Sequence, residues 1–252
     1  MLLSASHEQT RAFASLILLC LTVYLSGCQF VQTGVVQKNT EIDKENPMKT
    51  RILLVHGLFR TQRAMKPLHR PLEEAGYEVL DYRYYTTQLD VESHVRDLRK
   101  TLLEMQAENQ GRPLMVVGHS LGAVISVLAT TPRIEGIQRV VQIAPPNFGS
   151  PVADLFDSLL GRFVVPLKEL STEAGGPLPE GIIPATPTGV IAAENDPMVP
   201  ISCTRLPGAV DHIQVPGAHT FVFWKSKTQE ELIHFLEHGR FSNTAQRVDF
   251  DN

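Results

Sequence analysis

The chain predicts an α/β domain, a mostly parallel sheet of about six strands with helices on both faces. Three observations lead there. Short apolar runs of the kind that fill a buried strand recur between residues 49 and 241. Helical stretches separate them at the spacing of crossover connections. The length, 252 residues, suits one such domain and is too short for two comfortable ones.

The N-terminus stands apart. Ala12 to Leu25 is fourteen nearly continuous apolar residues, preceded by Arg11. That is short for a membrane span and suits the apolar region of a signal peptide. It ends Leu25-Ser26-Gly27-Cys28, which resembles the lipobox of bacterial lipoproteins. The resemblance implies a signal peptide over 1–27 and an acylated Cys28 as the mature N-terminus. It also implies a lipid anchor in a bacterial cell envelope, at the outer membrane if the source is Gram-negative, because residue 29 is Gln. Two features depart from the pattern or compete with it: Glu8 near the start, and Met48 as a second start codon position. Residues 28–48 are polar and aperiodic and read as a flexible tether.

The body follows in order. Arg51–Val55 is a buried strand ending in His56-Gly57-Leu58-Phe59. Thr61 to Ala75 reads as a helix, with Thr61 as N-cap and Gly76 as its stop. Tyr77–Leu80 is the second strand. Val91 to Glu108 is amphipathic, with Val91, Val95, Leu98, Leu102 and Met105 on one face. Leu114–Val117 is the third strand, and Ala123 to Thr130 an apolar helix. Gly136–Ile143, Val190–Ala193 and His212–Val215 complete the strands, and Ser226 to Glu237 is the last helix. Residues 242–252 read as a tail.

Composition removes several functions. The chain is 43% hydrophobic and 20% charged with a net charge of −4, which gives no electrostatic case for nucleic-acid binding. It has no C-x-x-C pair and no H-E-x-x-H, so no metal or other cofactor is expected. Of the three cysteines, Cys20 and Cys28 belong to the leader and its end. Cys203 alone remains as a thiol, and no internal disulfide is expected.

Between the third strand and its helix lies Gly118-His119-Ser120-Leu121-Gly122. A G-x-S-x-G run in a strand–turn–helix context lifts its serine onto a sharp, strained elbow. A serine hydroxyl needs a base within hydrogen-bond reach, itself oriented by a third group. Ligands of parallel sheets bind beyond the carboxyl ends of the strands, and this sorts the nine histidines. His212 opens a strand and lies at the wrong end, whereas His219 follows that strand by a short loop. The loop after the preceding strand provides Asp196 as the acid, with Glu194 as a weaker rival.

The chain order Ser120, Asp196, His219 is that of the α/β-hydrolases, and residues 51–240 resemble that superfamily, more narrowly its bacterial esterase and lipase branch. Ala144-Pro145-Pro146-Asn147-Phe148-Gly149-Ser150 resembles the G-T-P-N-x-G-S stretch that precedes the lid of such lipases, with Ala-Pro in place of Gly-Thr. The resemblance implies an oxyanion hole from the N–H groups of Leu58 and Leu121. It implies a serine hydrolase of small-molecule or lipid-like esters. A thioesterase or acyltransferase would use the same three residues, and a lipoprotein keeping the fold only for binding is the alternative from another class. Residues 150–187 read as a lid-like insertion, entered by a helix with Ser150 as N-cap, Pro151 at its first position and an apolar face containing Leu155 and Phe156. Phe59, Leu155, Phe156 and Phe221 are the candidate contacts for an acyl chain.

Overall fold

The computed structural model describes residues 33–36, 49–108, 112–154, 164–173 and 175–250. Cys28, Leu155 and Phe156 lie outside them, as does the whole expected signal peptide.

Six strands are parallel: β2 (Arg51–Val55), β3 (Glu78–Arg83), β4 (Leu114–His119), β5 (Ile137–Ile143), β6 (Thr188–Ala193) and β7 (Asp211–Val215). Two short antiparallel strands flank them. β1 (Gly34–Val36) pairs with β3, and β8 (Gln246–Arg247) pairs with β7. The order across the sheet is β1-β3-β2-β4-β5-β6-β7-β8. Among the described residues the sheet thus has eight strands, against the expected six or so. The two additions fall in the stretches read as tether and as tail. They are held by backbone pairing, which leaves no hydrophobic period to read.

Why the parallel strands read as apolar runs is visible in their burial. Every residue of β2, β4 and β6 is buried, because helices cover both faces. Side chains alternate between two cores, as the two-residue period of a strand requires. Leu53, Val55, Val116 and Val140 face α2 (Val91–Glu108) and α3 (Leu121–Ala129), meeting Leu98, Leu102, Val124 and Val127. Ile52, Leu54, Val117, Val141 and Ile213 face α1 (Lys66–Glu74) and α4 (Ser226–His238), meeting Leu68, Leu72, Leu232 and Phe235.

The expected helix over 61–75 is split. Gln62–Met65 forms a 3₁₀ turn, and α1 starts at Lys66. Thr61 makes no side-chain cap bond. Pro67, placed in the first turn of α1, has no N–H to continue a helix from residue 63, so the α segment begins afresh there.

The path of the chain places the site. From β2 it goes outward to β3, then back over β2 to β4, and continues in the opposite direction. The crevice between the carboxyl ends of β2 and β4 is thus the topological switch point, where such sheets hold ligands.

Candidate active site

The elbow is strained. Ser120 has φ 54° and ψ −126°, a conformation costing of order 1–3 kcal/mol in a non-glycine residue. Its two glycines permit the surrounding packing. A Cβ on Gly122 would lie 2.3 Å from the Val55 carbonyl oxygen, and one on Gly118 would lie 2.4 Å from that of Gly122. Both obstacles are backbone. Gly122→Ala is accordingly expected to destabilise the fold by about 3 kcal/mol, because β2 cannot withdraw without breaking its ladder. Urea unfolding checks this, and a loss under ~1 kcal/mol would show that the elbow can relax.

Ser120 Oγ stands 3.0 Å from Nε2 of His219, whose Nδ1 lies 2.6 Å from Asp196 Oδ2. The carboxylate accepts, so Nδ1 carries the proton and Nε2 is left to receive one from the serine. Asp196 Oδ1 accepts the backbone N–H groups of Met198 and Val199, at 2.8 and 2.9 Å. Both oxygens are therefore committed, and the carboxylate is locked in place. Asp196 and His219 are buried, at 8% and 6% exposure. Glu194 does not join them: its side chain is exposed and its N–H continues the β6–β7 pairing to the Val215 carbonyl.

The loop after β2 closes over the serine. A Cβ on Gly57 would sit 2.8 Å from the Ser120 Cβ, so only glycine permits this approach. Phe59, at φ 56°, donates its N–H to Thr86 Oγ1 at 3.1 Å, and the Arg60 N–H closes a turn onto the Gly57 carbonyl. No hydrogen bond within the described residues engages the N–H of Leu58 or of Leu121.

Several supporting residues were not singled out from the sequence. His119 donates Nε2–H to the His219 backbone carbonyl at 2.9 Å, and its ring meets those of His219 and Phe223. Burial pushes its pKa well below the ordinary histidine range, so it stays neutral. Asn147 exchanges two hydrogen bonds with Gln142 and donates to the Thr204 carbonyl. Gln142 also donates to the Ala123 carbonyl inside α3. The Pro-Asn-Phe-Gly stretch thereby ties β5 to the elbow helix. The Asn147 side chain is fully buried, and the amide pairing answers its polarity.

The described parts of the insertion are fastened. Ser150 caps the helical turn at 151–154 through Ala153 N–H, as expected from the sequence, and donates to the Met198 carbonyl on the Asp196 loop. Asp154 accepts hydrogen bonds from Ser171, Thr172 and Glu173. Burial works against its charge, but these bonds outweigh it and keep its pKa below the usual value. Phe59 packs at the edge of the core, and Phe221 is 56% exposed beside His219.

Two buried histidines predict an acid sensitivity. Burial lowers the pKa of His56 and of His212 to about 4, from an ordinary 6.5. Between those values the unfolded chain binds more protons than the folded one. The stability contribution is therefore complete above pH ~6.5, falls as pH drops towards 4, and changes no further below that. Roughly 1–3 kcal/mol per histidine is at stake. His212→Gln should lose less stability than wild type between pH 7 and 4.5 in urea unfolding, and an equal loss would contradict this account.

A serine, histidine and aspartate in hydrogen-bond succession, on a strand–helix elbow at the switch point of a parallel sheet, is the arrangement expected of the α/β-hydrolase class. Residues 46–207 match the family described as serine aminopeptidase, S33. The chain belongs to that family and is an α/β-hydrolase. Comparison with curated protein sequences found no significant match. Among solved structures, the fold is similar to the mature lipase BlEst2 of Bacillus licheniformis, with TM-score 0.62 and 19% identity over 82% of this chain and 97% of that one. It is similar to a monoacylglycerol lipase of Paleococcus ferrophilus, with TM-score 0.58 and 16% identity over 83% and 100%. It is also similar to BorB, a type II thioesterase from the borrelidin biosynthetic cluster, with TM-score 0.55 and 16% identity over 84% and 97%.

Proposed function

We propose that the chain is a serine hydrolase that cleaves carboxylic esters with lipid-like acyl groups. The observation that carries this reading is the continuous relay from Ser120 Oγ through His219 to Asp196, at 3.0 and 2.6 Å. In the proposed reaction Ser120 Oγ attacks the acyl carbon while its proton passes to His219 Nε2. The tetrahedral oxyanion accepts the N–H groups of Leu58 and Leu121. The protonated His219 then gives its proton to the departing alkoxide, leaving an acyl-serine and a free alcohol. Water, deprotonated by His219 in turn, releases the acid and restores the serine.

Phe59, Leu155, Phe156 and Phe221 are the proposed acyl-chain contacts. A thioesterase reading is favoured by the likeness to BorB, since a thiolate leaves from the same intermediate. A fluorophosphonate probe followed by peptide mass analysis tests the nucleophile: modification at Ser120 is expected, and its absence in folded protein would overturn the reading. Oxygen esters, thioesters and an aminoacyl anilide of graded chain length then separate the substrate classes. Preference for the anilide would make the chain a peptidase.

The second part of the proposal is that Cys28 is lipidated and holds the enzyme to a bacterial envelope membrane. One acyl chain anchors only marginally, and the several chains of a lipoprotein meet the requirement for stable attachment. Intact mass of the membrane fraction tests this. A mature chain beginning at Met48, or an unmodified Cys28, would refute it.

A further inference from the structure

The direction of β1 fixes where the chain enters the domain. β1 is antiparallel to β3, with Gly34 opposite Arg83 and Val36 opposite Asp81. Arg83 is the last residue of β3, at the carboxyl end of the parallel strands, where Ser120 also lies. The chain therefore arrives at β1 from the active-site end of the sheet. β1 and β4 are three strand spacings apart, about 14 Å.

Cys28 stands five residues before Thr33. Fully extended, that is at most ~18 Å. β3 alone rises six residues, about 20 Å, so a tether of this length does not carry Cys28 past the amino end of the sheet. A lipid on Cys28 is confined to the active-site end or to the flank beside it.

A second, independent observation concerns that same end. Leu89 follows β3, Phe148 follows β5, and Phe221 and Trp224 follow β7. Val165 joins them, because its N–H donates to the Thr87 carbonyl in the loop after β3. All five are large apolar side chains at least 41% exposed, Trp224 reaching 62%. Trp224 is followed by the exposed Lys225, the aromatic–cation pairing found where proteins meet a bilayer surface. Large apolar side chains collected at one end of a domain are the kind of surface that a partner or a membrane covers.

We infer that the rim formed by Leu89, Phe148, Val165, Phe221 and Trp224 docks on the lipid bilayer that carries the anchor, so that the active site opens onto the membrane surface. This rests on the lipidation of Cys28 proposed above and deepens it. The substrates it selects are acyl esters resident in, or partitioned into, that membrane, and the short tether serves to hold the mouth against it.

Trp224 is the chain's single tryptophan, which makes the docking directly readable. The full lipidated protein is reconstituted on phosphatidylcholine–phosphatidylglycerol vesicles with and without brominated phosphatidylcholine, with lipidation checked by intact mass. The expected result is that brominated lipid at least halves the Trp224 emission. A Leu89→Ser/Val165→Ser double variant should be quenched less while its turnover of a water-soluble acetyl ester is unchanged. A lipidated, vesicle-bound protein whose tryptophan is not quenched would overturn the docking and leave the anchor standing. A chain that carries no lipid would overturn both.

Discussion

Ser120→Ala is expected to lower kcat for a short p-nitrophenyl ester by about 10⁴-fold or more, with the circular dichroism spectrum unchanged. The substitution removes only Oγ, the atom 3.0 Å from His219 Nε2. The Cβ that packs near Gly57 remains, as do the strained backbone angles, so the elbow has no reason to rearrange. Nothing else in the relay can take the role: His119 is buried and donates to a backbone carbonyl. A variant retaining a tenth of wild-type turnover would mean that the nucleophile is elsewhere.

Asp196→Asn is expected to lower kcat by roughly 10²–10⁴-fold with a small change in KM. An amide offers one acceptor where two are needed. If its oxygen serves the Met198 and Val199 N–H groups, its NH₂ faces His219 Nδ1. The imidazole must then accept at Nδ1 and carry its proton on Nε2, where it cannot receive the Ser120 proton. If the amide is turned over, two buried N–H groups face NH₂ instead, and the loop distorts. Glu194→Gln, at an exposed position, should leave turnover within about twofold, in line with the small effect of surface substitutions. Steady-state kinetics on both variants checks the pair, and the opposite ranking would assign the acid to Glu194.

The parts of this structure that were legible in the sequence are those governed by short-range patterns. The central parallel strands showed because they are buried on both faces and carry runs such as Arg51–Val55 and Leu114–Val117. The relay followed from strand ends: once Ser120, Asp196 and His219 were each assigned to a loop at the carboxyl edge, the fold had to bring them together. What stayed hidden depends on pairing across long separations. The His119 bond to the His219 carbonyl spans a hundred residues and has no local signature. Asn147 reads as a turn former, and only the tertiary fold reveals Gln142 as its partner. The split near Pro67 was open to view, but the helix was read through it from its apparent cap and stop, Thr61 and Gly76. β1 and β8, of three and two residues, are too short to carry a period.

Three non-glycine residues with positive φ occur among the described residues: Phe59, Ser120 and Ala144. They follow β2, β4 and β5, three adjacent strands in the sheet, and all lie at its carboxyl edge. Backbone tension is thus concentrated at one edge, where the sheet beneath holds it like a drawn spring. For anyone seeking a hardier version of this enzyme, random selection for heat resistance would be drawn first to that edge, since relaxing any of the three angles raises stability directly. Those are the changes that blur the position of the serine. Substitutions around Ile183 and Val210, exposed near the amino ends of β6 and β7, can be screened for durability with the catalytic edge left under tension.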